Sequence, residues 1–184
     1  MSAIPVHKDS LVRTAMRLFR RQGYSSTGLN QILSESGAPK GSLYHYFPGG
    51  KEELAVAAVG LAASMIRLML EDLSRTRRTS RTFVKGYCDT MANWMEESGY
   101  RSGCPIATTM LETAPDSPAL VKAGQAALES WVCVISDVFI RDGIGSSDAQ
   151  KKALALIGAV QGALILARVW NSSDPLHDVA RQFA

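Results

Sequence analysis

An all-α fold is the class this sequence predicts, and three observations carry it. Apolar residues recur at three- and four-residue spacing through nearly every segment. The alternating apolar and polar runs of half-buried strands are missing. Breaks fall at Gly and Pro, notably Gly23, Gly37, Pro48-Gly49-Gly50, Pro115 and Gly143. The 184 residues are 46% apolar and 20% charged, a balance that can bury a real core and excludes wholesale disorder.

The first helix is set by Leu11, Val12, Ala15, Met16, Leu18 and Phe19, with Arg13, Arg17, Arg20 and Arg21 between them. Asp9 is its expected N-cap and Gly23 its stop. Thr27 is expected to cap a short second helix carrying Leu29, Ile32 and Leu33 on one face, closed by Gly37. Pro39 suits the opening of a third helix, where its missing N–H costs nothing. That helix runs Lys40-Gly41-Ser42-Leu43-Tyr44-His45-Tyr46 and ends at Pro48-Gly49-Gly50. A long helix then starts near Lys51-Glu52-Glu53, its glutamates at the favourable end of the dipole, and passes Leu70. After an Arg-rich connection, 75–78, helices are expected over about 80–97, 105–113, 119–141, 148–170 and 175–183, making about nine. The expected division is a head, 1–50, and a body, 51–184.

Charge divides unevenly along this plan. Residues 1–51 hold seven Lys/Arg against Asp9 and Glu35, a surplus of five; the remaining 133 carry 13 basic and 15 acidic residues. A basic front on a near-neutral body suits a polyanion partner for the front. The longest charge-free stretch, 153–167, is interrupted by Gln161 and two glycines and falls short of the roughly 20 residues of a membrane span. Met1 to Ser10 lacks the apolar core of a signal peptide, and Cys88, Cys104 and Cys133 are odd in number and far apart. The expectation is a cytoplasmic protein without a disulfide framework or a membrane partner.

Two short helices joined around Gly37 form a helix-turn-helix pattern. In such a unit the second helix lies in the major groove, so its outward face must stay small or polar near its start. Lys40, Gly41 and Ser42 supply that face, and Leu43 and Phe47, four apart, can bury the opposite one. Tyr44 and His45 can reach phosphate oxygens, as can Thr27 at the start of the bracing helix. Gly41 is the telling residue, because glycine inside a helix costs about 1 kcal/mol against alanine. The competing reading makes Tyr44 and Tyr46 core aromatics and His45 an ordinary surface residue.

The stretch Gly23-Tyr24, Thr27, Ile32, Gly37 through Phe47 and Lys51-Glu52-Glu53-Leu54 closely resembles the DNA-binding domain of TetR-family transcriptional repressors. The resemblance covers about residues 8–55. It implies an all-helical dimer with a three-helix DNA-binding head and a ligand-binding, dimerising body. By residue it implies phosphate contacts from Thr27, Tyr44, His45 and Lys51 and base-edge contacts from Pro39, Lys40 and Ser42. The family commonly has a small hydroxyl residue at the position of Pro39, so that cap is lost here. The link ending at Lys51 is one residue longer than the commonest form. With Gly103-Cys104-Pro105, these features are similar to the branch of lincomycin-resistance and flavonoid-responsive repressors.

The body carries large, soft side chains: Met65, Met69, Tyr87, Met91, Trp94, Met110, Trp131 and Phe139. They are candidates for an apolar cavity taking a flat, apolar or aromatic effector, and equally for plain core. Gln161 and Arg168, on an otherwise apolar helix, could anchor that ligand or pair across a dimer interface; Thr108 and Thr109 are further polar candidates. On the same helix Gly158 and Gly162 permit close helix approach beside Leu154, Ile157, Gln161 and Ile165, the candidate dimer interface, against a well-packed intrachain helix.

No nucleophile elbow, phosphate loop or zinc-protease motif is present, and His7, His45 and His177 share no ligand spacing with one another or with the cysteines. The expectation is therefore no enzyme, no metal and no cofactor. Two alternatives stand beside the DNA reading. One is a regulator sensing oxidants at Cys104, which follows Gly103 at a helix start. The other is a helical binding or scaffold protein without DNA, which leaves the basic head unexplained. The sequence thus points to a ligand-responsive repressor holding a palindromic operator as a homodimer.

Overall fold

The structure is a computed structural model and describes residues 6–183. Nine α-helices and no strands lie among the described residues: α1 Val6–Gln22, α2 Leu29–Ser36, α3 Lys40–Tyr46, α4 Gly50–Thr76, α5 Ser80–Glu97, α6 Pro105–Thr113, α7 Pro118–Arg141, α8 Ser146–Trp170 and α9 Asp174–Phe183. The expected all-α class holds, and each expected helix is present.

The helices form two compact units. One is the chain up to Ser64 together with Pro105–Ala127. Its core is the apolar faces of the first four helices: Leu11, Phe19, Ile32, Leu43, Phe47 and Leu54 are buried to 2% exposure or less. α1 packs against α2, α3 and α6. The second unit is Met65–Cys104 with the chain from Leu128 onward. There α9 packs on both α5 and α8, and Phe83, Tyr87, Met95, Trp131 and Phe139 fill the interior. A capping box between Thr79 and Thr82 starts α5.

Local signals behaved unevenly. Gly23 at φ +91° and Gly37 at φ +67° end α1 and α2 in the left-handed region that glycine enters without penalty. Pro39 sits at the N-cap of α3, its carbonyl accepting the Ser42 N–H at 2.9 Å. Asp9, however, is no cap: α1 starts at Val6, and Asp9 pairs with Arg13 one turn on at 2.6 Å. Thr27 is no cap either. The reversal at Gly23 brings the Thr27 hydroxyl onto the Gly23 carbonyl at 2.7 Å, and Gly28 takes the N-cap position of α2 without a side-chain bond.

The expectation about membrane length also changes. α4, α7 and α8 each contain an 18-residue window long and apolar enough, by length and composition, to cross a membrane, with 39% of that window buried. Counting charge-free runs missed this, because a helix rich in Ala, Leu and Val tolerates one or two charges and still averages apolar.

Candidate nucleic-acid interface and the residues of the body

α3 divides into two faces as the helix-turn-helix pattern requires. Leu43 and Phe47 are buried, whereas Pro39, Lys40, Gly41, Tyr44 and His45 are exposed and Ser42 is half-buried. Tyr44 is 62% exposed, which removes it from the core. The His45 ring stands edge-on to Tyr46, centroids 4.7 Å apart. A methyl placed on Gly41 would meet no atom within 4 Å. Among the described residues no packing therefore needs glycine here, although it weakens the helix by about 1 kcal/mol against alanine.

Lys51, in the first turn of α4, is partly buried. Its Nζ lies 4.3 Å from the Tyr24 ring centroid and 3.5 Å from the Ser25 carbonyl oxygen. Burial pulls its ammonium below the usual lysine range, and the nearby Glu112 carboxylate opposes that shift. Thr27 is fully buried, its hydroxyl on Gly23 and its N–H on the Tyr24 carbonyl at 3.1 Å. It shapes the turn and does not present its hydroxyl outward. What this end of α2 can offer an anion is the helix's first amides. Arg17 is paired with Glu35 at 2.8 Å across α1 and α2, an exposed pair that offsets part of the head's surplus charge.

The candidate effector residues divide between the two units. Tyr87, Met91, Trp131 and Phe139 are buried in the second unit; Met69 and Trp94 are half-buried, and Met65 is 44% exposed. Met110 belongs to the first unit, where its sulfur lies against Gly124. Thr108 and Thr109 do not hold hydroxyls ready for a ligand: Thr108 donates to the Phe19 and Pro105 carbonyls at 3.2 and 3.3 Å, and Thr109 to Pro105 at 2.8 Å. Burial pushes the Tyr87 hydroxyl and the Cys88 thiol up, the latter to about 12, so both are neutral.

α8 presents an exposed apolar stripe. Leu154 and Ile165 are each 60% exposed, and methyls on Gly158 or Gly162 would meet nothing within 4 Å. Gln161 is half-buried at the edge of this stripe, and Arg168 is exposed. Ile157 does not belong to it; only 3% exposed, it faces the chain's own core. The stripe runs further than the sequence reading took it, through Leu166, Val169 and Trp170. Four-residue spacing past Ile165 reaches Val169, whereas Leu166 and Trp170 lie off that line. Glu112, which bonds the turn after α1, was also missed, and no local pattern marks it.

Two short helices joined around Gly37, the second with an outward-facing polar side, in an all-helical chain, are the arrangement of a helix-turn-helix DNA-binding regulator. Comparison with known proteins agrees. Residues 11–58 match the family model of bacterial regulatory proteins of the tetR family, and residues 81–182 match that of the C-terminal domain of LmrA/YxaF-like transcriptional regulators. The chain is 32% identical over 169 residues to the HTH-type transcriptional regulator LmrA of Bacillus subtilis, covering 92% of this chain and 90% of that one. It is 31% identical over 175 residues to the HTH-type regulator YxaF of the same organism, covering 95% and 92%. A crystal structure of the regulatory protein TetR from Rhodobacter sphaeroides superposes with a TM-score of 0.88 at 24% identity, covering 97% of each chain, which shows the shared fold. The protein belongs to the TetR family of DNA-binding transcriptional regulators, and is not an enzyme.

Proposed function

We propose that this regulator is a cytoplasmic, ligand-responsive repressor that binds a palindromic operator as a homodimer. Gly41 carries the reading: an exposed helical glycine that no internal contact needs is accounted for by close approach of α3 to a DNA groove. In this reading residues 1–50, together with Lys51 at the start of the body, bind DNA, and the rest of 51–184 binds effector and partner. Pro39, Lys40 and Ser42 meet base edges, and Tyr44, His45 and Lys51 meet phosphates. The exposed stripe Leu154, Gly158, Gly162, Ile165 and Val169 packs on its two-fold copy, with Gln161 at the edge. A flat, apolar or aromatic molecule binds among Met65, Met69, Tyr87, Met91, Trp94, Trp131 and Phe139, with Arg168 or Gln161 as its polar anchor. It acts only through a difference in its affinity for two arrangements of the heads.

Selection from a pool of randomised duplexes tests this. The wild-type protein should enrich an inverted repeat, and Lys40→Ala should relax one or two symmetric positions of each half-site. Enrichment of a single, non-repeated site would overturn the dimeric reading, and an unchanged preference in Lys40→Ala would remove Lys40 from base contact.

A further inference from the structure

The turn between α1 and α2 is held by residues outside the helix-turn-helix. Glu112 of α6 accepts the Tyr24 N–H at 3.2 Å on one carboxylate oxygen and the Ser25 N–H at 2.6 Å on the other. One helical turn earlier on α6, Thr108 donates to the Phe19 carbonyl at 3.2 Å. Lys51 reaches the acceptor side of the same turn, at the Ser25 carbonyl and over the Tyr24 ring. Thr27 closes the remainder through the Gly23 and Tyr24 carbonyls. The two N–H bonds to Glu112 and the carbonyl contacts of Thr108, Lys51 and Thr27 all read backbone, so they report where the turn stands.

Gly23 fits this seat on two counts. Its φ of +91° favours glycine, and a Cβ there would overlap Oε1 of Glu112. Glu112 and Lys51 carry opposite charges and hold the two sides of one residue, Ser25. Glu35, the acid that bonds α1 to α2, touches only side chains, those of Arg17 and Gln31.

We propose that Glu112 is a positioning residue of the DNA-binding surface: by fixing Ser25 it sets where the Lys51 ammonium and the first amides of α2 stand when they meet phosphates. The inference rests on Lys51 being a phosphate contact. Charge-assisted hydrogen bonds to backbone N–H are short and directional, so their loss frees the turn rather than merely softening it. Lys51 then loses both its opposite charge and its fixed carbonyl partner.

The test uses the full chain and the duplex that the wild-type protein enriches, with affinity read by fluorescence anisotropy across a salt series. Glu112→Ala should bind about tenfold more weakly, the order of one lost charge-assisted hydrogen bond. Its plot of log affinity against log salt should flatten by about 0.9, one phosphate contact, while the enriched sequence stays the same. In a Lys51→Met background the same substitution should flatten the salt slope no further, because the Lys51 contact it positions is already gone, and the affinity still lost is that of the first amides of α2. Gly23→Ala keeps the carboxylate and displaces it, so it should reproduce the flattened slope. Glu112→Gln retains one acceptor and should fall between. Thermal melting of each variant separates these effects from unfolding. Amide exchange at Tyr24 and Ser25, measured without DNA, should accelerate in Glu112→Ala. An unchanged slope, or unchanged exchange, overturns the proposal. Tighter binding overturns it too, and makes the carboxylate a rival of phosphate for Lys51. If Lys51→Met alone leaves the slope unchanged, the phosphate role of Lys51 is what has failed.

Discussion

Replacing Gly162 by Leu separates the fold of one chain from the association of two. A Cβ on Gly162 meets nothing within 4 Å inside the chain, and the residue is exposed in the middle of α8. Within a monomer the substitution should therefore be neutral or stabilising, since a helical leucine is better than glycine by up to about 1 kcal/mol. In a two-fold bundle both copies of the new side chain enter one interface. Overpacking costs typically 1–3 kcal/mol per site, so about 2–6 kcal/mol per dimer, or at least about thirtyfold in dissociation constant. Sedimentation velocity over a concentration series reads the association, and circular dichroism reads the fold. The expected result is a monomer with native helix content and an undiminished melting temperature once protein concentration is extrapolated out. A fully dimeric Gly162→Leu protein that binds operator normally would place the interface elsewhere, and a misfolded one would refute the claim that the site is open.

Lys51→Ala should lower affinity across all duplex sequences and reduce the salt slope by about 0.9, seen by titration at several salt concentrations. Lys40→Ala should cost roughly 1–3 kcal/mol of discrimination at its own operator positions, read from selection experiments, with little change in salt slope. The buried Cys88 thiol, pushed up to about 12, favours the neutral form in the folded chain. Its folded pKa lies above the unfolded one, so that contribution to stability is fully present below about pH 9 and is lost as pH rises through about 12, by up to about 1.4 kcal/mol per pH unit. Denaturation at stepped alkaline pH checks the loss, which Cys88→Ala should reduce. At pH 8 an alkylating reagent should modify exposed Cys133 in the native state and spare Cys88 until unfolding. Planar aromatic compounds that quench the buried Trp131 or half-buried Trp94 should also release operator DNA; quenchers that never do so would leave the effector reading without its coupling.

The fold was legible wherever a residue's role depends on near neighbours in sequence. The spacing of Leu43 and Phe47 gave the buried face of α3, and Gly23 and Gly37 gave the stops, because left-handed backbone is a property of the residue itself. Thr27 failed for the opposite reason. Its type suits a cap, but the turn at Gly23 carries its hydroxyl to another acceptor. Ile157 failed because α8 is apolar on nearly all sides, so periodicity supplies no phase. It lies about 100° round the helix from Gly158, at the edge between inside and outside. Glu112 was beyond local reading altogether, since its partners Tyr24 and Ser25 lie 88 and 87 positions away. Met110 was grouped with the effector residues by softness alone, and its sulfur lies beside Gly124.

The glycines carry the distinction between what this chain needs for itself and what it needs for others. At Gly23, Gly86 and Gly124 an added Cβ would run into Glu112, Leu73 and Met110, so those glycines belong to the internal packing. Gly41, Gly158 and Gly162 are helical, and an added Cβ there meets nothing among the described residues. Gly60 of α4 behaves likewise, and nothing in the structure accounts for it. Each open helical glycine weakens its helix by up to about 1 kcal/mol against alanine. The three fall on the two surfaces where a backbone has reason to come close to another molecule. One is the first turn of the reading helix, where a side chain would hold α3 away from base edges. The other is the apolar stripe of α8, where it would hold two helices apart. Substitution by alanine should therefore divide the six. Gly41, Gly158 and Gly162 should raise the melting temperature of the isolated chain while impairing DNA binding or dimerisation, whereas Gly23, Gly86 and Gly124 should lower it. A Gly41→Ala protein that is more stable and binds operator as well as wild type would show that α3 does not approach the groove at that residue.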